Sequence, residues 1–168
     1  RFDLQATGVA QPSDASAQTG LPTVNVALSA DGDPSGVRLN TLSIQSPWLH
    51  AELTNNVGFT WTGELLAQPA QLRVTVDLAK LPGATLAGKA EGFVQIEPQG
   101  GRTPRAQFRF SAGPLRIGSM DAKSILVRGN FAAPILKLDE MRADFTDGSS
   151  LLAEGSFDSA TQGIVGGR

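Results

Sequence analysis

From Leu72 to Phe110, apolar residues fall on every second position through three segments separated by two turns. Leu72, Val74 and Val76 alternate with Gln71, Arg73, Thr75 and Asp77; Leu86, Gly88, Ala90, Gly92, Val94 and Ile96 alternate with polar neighbours; Ala106, Phe108, Phe110 and Ala112 alternate with Arg105, Gln107, Arg109 and Ser111. A period of two places successive side chains on opposite faces, so each segment predicts a strand with one dry face. The middle run predicts an unbroken strand over 85–96, about 40 Å long at ~3.4 Å per residue. A strand of that height needs neighbours of equal height.

The same pattern recurs on both sides. Phe2, Leu4 and Ala6 predict a first strand ending at Gly8, followed by a Ser-, Gln-, Gly- and Pro-rich stretch over 11–22 without period, expected to be a mobile loop. Val24, Val26, Leu28 and Ala30 form the next strand, and the Asp31-to-Gly36 stretch carries turn residues. Val37 and Leu39, then Leu42 and Ile44, change parity near Thr41, which predicts a bulge. Asn55-Asn56 between two alternating runs predicts a hairpin, and 63–68 a loop or at most one helical turn. Leu81-Pro82-Gly83-Ala84 has the residues of a type II turn, and 98–103 reads as a second, Gly-containing loop. Further short runs carry Leu115 and Ile117, Ile125 and Val127, Ile135, Leu136 and Leu138, Met141, Ala143 and Phe145; Asp147-Gly148-Ser149 then turns the chain into Leu151, Ala153, Gly155 and Phe157.

Pro69, Pro104 and Pro134 each open an alternating run, at spacings of 35 and 30 residues. A proline at the first residue of a strand loses no ladder hydrogen bond. Units of this length predict a sheet extended by repetition. No window shows a helical 3.6-residue period, so the class is all-β, and 168 residues with an even apolar scatter predict one domain over 1–168. The chain opens at Arg1 inside an alternating segment, and it is expected to be a piece of a larger protein whose export signal or anchor lies elsewhere.

Charge and chemistry narrow the function classes. Lys and Arg number 14 against 16 Asp and Glu, scattered singly, which gives no basic tract for nucleic acid or an anionic membrane surface. Cysteine is absent, which excludes disulfides, zinc–thiolate clusters and thiol catalysis. The single histidine, His50, has Ser46 nearby but no Gly-x-Ser-x-Gly elbow, so it reads as an ordinary strand histidine. The Asp31-to-Gly36 stretch approximates the start of a calcium loop, but Leu42 stands where a bidentate Glu is required. Asp139 and Glu140 are expected to point to opposite faces as solvated residues beside a hairpin, a poor acid/base pair. No catalytic residues, cofactor or metal are expected.

The order of phrases from Leu72 onward is more specific than alternation. Asp77-Leu78-Ala79-Lys80-Leu81-Pro82-Gly83-Ala84-Thr85-Leu86-Ala87-Gly88 is followed by the loop at 100–104, the Phe108 strand, the 115–129 segment, and 138–157 with Asp147-Gly148-Ser149-Ser150-Leu151-Leu152-Ala153-Glu154-Gly155. Over about residues 70–160 this resembles the carboxy-terminal region of the TamB family, part of the translocation and assembly module, and more distantly the AsmA-like proteins. The resemblance implies a long curled β-sheet, a β-taco with an apolar groove, crossing the periplasm in a protein anchored in the inner membrane. It also implies a TamA-like outer-membrane barrel partner and a role in phospholipid transport or outer-membrane protein assembly.

The residues expected to line such a groove are Leu72, Val74, Val76, Leu86, Val94, Ile96, Phe108, Phe110, Ile125, Val127, Leu136, Leu138, Leu151 and Phe157. Period-two strands could equally pack these residues on each other in a closed core. Gly88, Ala90, Gly92, Ala106, Ala112, Ala153 and Gly155 on the same faces favour the groove, because small side chains leave volume that a core would have to fill. A structural or adhesive β-module binding protein or glycan through its loops is the alternative, and it would require a closed sandwich with aromatics in the loops.

Overall fold

The long strands of the sheet follow one another in chain order. The computed structural model describes residues 2–10, 24–66, 68–81, 86–98, 105–118 and 120–167. The main path runs β1 (Phe2–Ala10), β2 (Val24–Asp33), β3 (Gly36–Gln45), β4 (Leu49–Leu53), β7 (Ala70–Asp77), β9 (Lys89–Glu97), β10 (Arg105–Ala112), β12 (Met120–Ala132), β13 (Ile135–Phe145), β14 (Ser150–Asp158) and β15 (Gly163–Gly167). Short strands β5 (Val57–Phe59), β6 (Leu65–Leu66), β8 (Leu86–Ala87) and β11 (Leu115–Ile117) hang from this path, and all pairings are antiparallel. The fold is all-β: one long antiparallel sheet, curled and not closed into a barrel.

Bulges keep one face apolar where the sequence slips by one. Asn40 is the extra residue between the Ser29–Thr41 and Ala30–Leu39 pairs, so Leu39 and Leu42 share a face, and the Asn40 amide donates to Asp31 Oδ1 at 2.7 Å. This is the bulge expected near Thr41. Lys123 does the same between Ala122 and Ile125, and Asp139 between Leu138 and Met141. Each bulge also bends its strand, and a sheet bent repeatedly in one direction curls.

Several local expectations are corrected. The 85–96 strand is broken: Gly88 separates β8 from β9 at φ +134°, and a Cβ there would run into Leu115 Cδ2. β8 therefore leaves β9 and pairs with β11, Leu86 opposite Ile117. Asn55-Asn56 makes no hairpin, because β4 and β5 do not pair; both run along β3, Ser43–Gln45 taking β4 and Val37–Leu39 taking β5. Asn55 instead acts as a rung of the ladder. Its Nδ2 donates to Pro69 O and its Oδ1 accepts from Gln71 N, each at 2.9 Å.

The 63–68 stretch contains β6 in place of a helical turn, and the helix found among the described residues is a single 3-10 turn over Leu78–Lys80. β1 runs past Gly8 to Ala10. Pro69 directly precedes β7 and Pro134 lies between β12 and β13, as their strand-opening role requires. The expected loop at 11–22, the Pro82-Gly83 centre of the type II turn, and Pro104 with most of the 98–103 loop lie outside the described residues.

Replacing Gly88 by Ala is expected to lower the unfolding free energy by about 1–3 kcal/mol, and with it the denaturant midpoint, through positive-φ strain and collision with Leu115. Gly166→Ala, where an added methyl meets open space, should leave the midpoint unchanged. Equal effects from the two substitutions would contradict the packing role assigned to Gly88.

Candidate functional site

Strand register assembles the apolar residues into continuous rows. One row crosses the sheet as Val26, Ile44, Ala51, Val74, Gly92, Phe110, Val127, Met141 and Ala153. A second joins Leu53, Leu72, Val94, Phe108, Gly129, Leu138 and Gly155, and a third Ala70, Ile96, Ala106, Phe131, Leu136, Phe157 and Ile164. A fourth joins Leu49, Val76, Ala90, Ala112, Ile125, Ala143 and Leu151. These rows bring together thirteen of the fourteen expected residues. Leu86 joins them indirectly, through Ile117 of β11 and Met120 of β12.

Sequence reasoning missed that the face continues over β2–β4 and that Phe131 and Met141 belong to it. The signal was present at Met141, in its three-residue step from Leu138. Gly88 was expected among the small groove residues, but it makes room for Leu115.

This face is a surface, not a core. Among the described residues the buried hydrophobic ones are Ala30, Ala51, Val57, Ala70, Leu115, Ala122 and Ala143, and Val57 is the one large side chain fully buried. A closed sandwich would bury its Leu, Val and Phe residues. Here Leu136 remains 38 % exposed, Leu151 46 %, Phe157 38 % and Ile164 84 %. Along the four rows no position carries a charge, a hydroxyl or an amide.

Glycines lower parts of the floor. Phe110 lies against Gly92 on β9 and Phe108 against Gly129 on β12; an added Cβ would come within 2.5 Å of Phe110 Cδ1 and 2.6 Å of Phe108 Cζ respectively. Each ring covers backbone that a glycine would leave bare, an arrangement known to strengthen glycine-containing sheets. The two rings sit 6.3 Å apart between centroids, tilted by 42°.

Polar chemistry lies on the opposite face, and much of it is paired. Arg116 bonds Asp121 at 2.9 Å, Arg128 bonds Glu140 at 2.8 Å, Lys137 bonds Asp139 at 3.0 Å and Arg142 bonds Asp144 at 3.1 Å. The Asp139 bulge overturns the expected separation of the acidic pair. Asp139 accepts from Asn130, and Glu140 pairs with Arg128, both partners on the polar face in mid-sheet. Each carboxylate holds its own cation, which leaves them unsuited to act on a shared substrate.

His50 lies 3.7 Å from Glu52, while Ser46 Oγ accepts the Leu49 N–H at 3.0 Å and is thereby occupied. In the Asp31-to-Gly36 stretch, Pro34-Ser35 turns β2 into β3, and Asp33 accepts from Ser35 N at 2.8 Å. No group of three or more potential ligands that could hold a metal ion occurs among the described residues. Trp61 sits in the turn after β5, 58 % exposed, and its Nε1 donates to Asp33 O at 3.1 Å.

Hydrogen bonds from Arg116, Lys137 and Arg142 hold the Asp121, Asp139 and Asp144 carboxyls below their ordinary value of 3.8. A lowered folded-state value means stability fully present above 3.8 and lost as pH falls through the folded values. The thermal midpoint should therefore be level from neutral pH to about 4.5 and decline below about 4, a decline that Asp139→Asn should reduce. An open apolar face should also bind the uncharged dye Nile red in the native state, with fluorescence lost in Phe108→Arg. Dye binding that appears only on unfolding would contradict an open face.

Comparison with known proteins adds no relative: no family model, no curated protein and no solved structure matches the chain.

Proposed function

We propose that this chain is a periplasmic segment of a TamB-like protein, and that its apolar face shields phospholipid acyl chains moving toward the outer membrane. On this reading the whole protein is anchored in the inner membrane and works with a TamA-like outer-membrane barrel. Unfolded outer-membrane proteins are a second cargo that the same surface could guide. The observation that carries the proposal is a face without polar positions, continuous from β2 to β15 and left open. The order of the phrases from Asp77 to Gly155 supports the family placement.

Magnitudes favour a conduit over a store. Sheltering a chain of about 16 carbons from water is worth roughly 13 kcal/mol at ~0.8 kcal/mol per CH₂. A lipid leaving a bilayer already has that shelter, so transfer to an aliphatic surface is close to neutral. Rows without Lys or Arg offer no headgroup clamp that would trap it. The alternative of an adhesive module has less support, since it presupposes a closed sandwich and the sheet is open.

Val94→Arg or Phe108→Glu is expected to abolish lipid co-purification and photo-crosslinking while leaving the β-sheet circular dichroism unchanged. Both residues stand in the middle of the second row, so a charge there interrupts the path without touching the backbone ladder. Equal crosslinking of labelled lipid to wild type and variants would overturn the reading.

A further inference from the structure

The polar face holds one group of side chains whose charge is not balanced within the sheet. Register places Arg73, Phe93, Arg109 and Arg128 side by side on β7, β9, β10 and β12. The end members each have an acid: Glu52 lies 3.4 Å from Arg73, and Glu140 lies 2.8 Å from Arg128. Arg73 also stacks over the Phe93 ring at 5.6 Å. Arg109 differs. It is exposed, it directly faces Arg128 across the ladder, and among the described residues no carboxylate pairs with it.

Like charges directly opposite each other in an antiparallel pair destabilise it. Beside them Phe93 is 42 % exposed, a large aromatic on an otherwise mainly polar face. We propose that Arg109, with Arg128 and Phe93, is a docking point for an acidic segment of a partner protein. A carboxylate received between the two guanidinium groups removes their repulsion and accepts bidentate hydrogen bonds, while the adjoining chain rests on the ring. An aromatic beside arginines is the composition of an interface hot spot.

Charge complementarity selects this occupant. Glu52 and Glu140 close the two ends of the row, so the excess is about one guanidinium. That matches a single carboxylate; a polyanion such as nucleic acid, or the broad negative surface of a membrane, would meet the flanking acids. The site lies on the face opposite the apolar rows, so it stands or falls separately from the groove.

The test is a titration of the isotope-labelled protein followed by nuclear magnetic resonance, with the end-capped peptide Ala-Leu-Glu-Leu-Ala, which carries one carboxylate, in one arm and phosphatidylglycerol vesicles in the other. The peptide should give saturable shifts centred on Phe93, Arg109 and Arg128. Arg109→Gln should weaken that binding about fivefold, the loss expected for one exposed charge contact, while the thermal midpoint holds or rises as the like-charge contact disappears. Arg109→Lys, which keeps the charge but loses the fork, should fall between. Absence of localised shifts, equal binding by Arg109→Gln, or an Arg109-dependent response to vesicles in place of the peptide would each overturn the proposal.

Discussion

The structure depends on keeping most large apolar side chains on one side of a single sheet, with Phe93, Leu126 and Leu152 on the other. Strand geometry enforces this only while the alternation is unbroken, since a slip of one residue sends everything beyond it to the other face. The chain slips at Leu39–Leu42, Ala122–Ile125 and Leu138–Met141, and at each place a bulge absorbs the extra residue. At these three places the bulged residues, Asn40, Lys123 and Asp139, are polar, so the residue that leaves the ladder is one that water accepts; a further shift at the β14–β15 edge leaves out the exposed Val165. Correction of face and bending of the sheet are therefore one event. A strand set that stayed perfectly in step would be flatter and would offer less of a trough.

Period-two alternation made most of this legible. The all-β class, the strands from Leu72 onward and thirteen of the groove positions follow from it directly, and the first bulge follows from a step of three between Leu39 and Leu42. The same step at Ala122–Ile125 and Leu138–Met141 carries the same information. Less legible was what glycines and asparagines do locally. Gly88 reads as one more small residue in an alternating run, but it sits at a positive φ where the strand breaks, and Leu115 comes from a distant segment to fill the space above it. Asn55-Asn56 reads as a hairpin because such pairs favour turns, yet an asparagine side chain can also stand in for a peptide group. Asn55 does so for Pro69 and Gln71. Whether the apolar face is covered was beyond alternation altogether, because a core strand and a groove strand have the same pattern.

The two faces of the sheet keep separate accounts. On one, Phe108 and Phe110 cover glycine backbone and the rest of the surface remains half open. On the other, bases and acids pair across neighbouring strands, as Arg116–Asp121 and Arg128–Glu140 do, or along β13, as Lys137–Asp139 and Arg142–Asp144 do, and no polar residue is buried among the described ones. A sheet built this way gets little from a packed interior. Its cohesion comes from hydrogen-bonded ladders and from side chains touching their cross-strand neighbours.

The main path runs in chain order from β1 to β15, with the short strands β5, β6, β8 and β11 attached beside it. Apart from the β8–β11 contact, each strand of the path depends mainly on the two beside it, which makes the molecule closer to a row of coupled units than to a globule. Such a row can fray from either margin while its middle stays intact, and it can be lengthened by one more strand without rearranging those already present. Its reach is thus set by the number of strands and not by the size of a core.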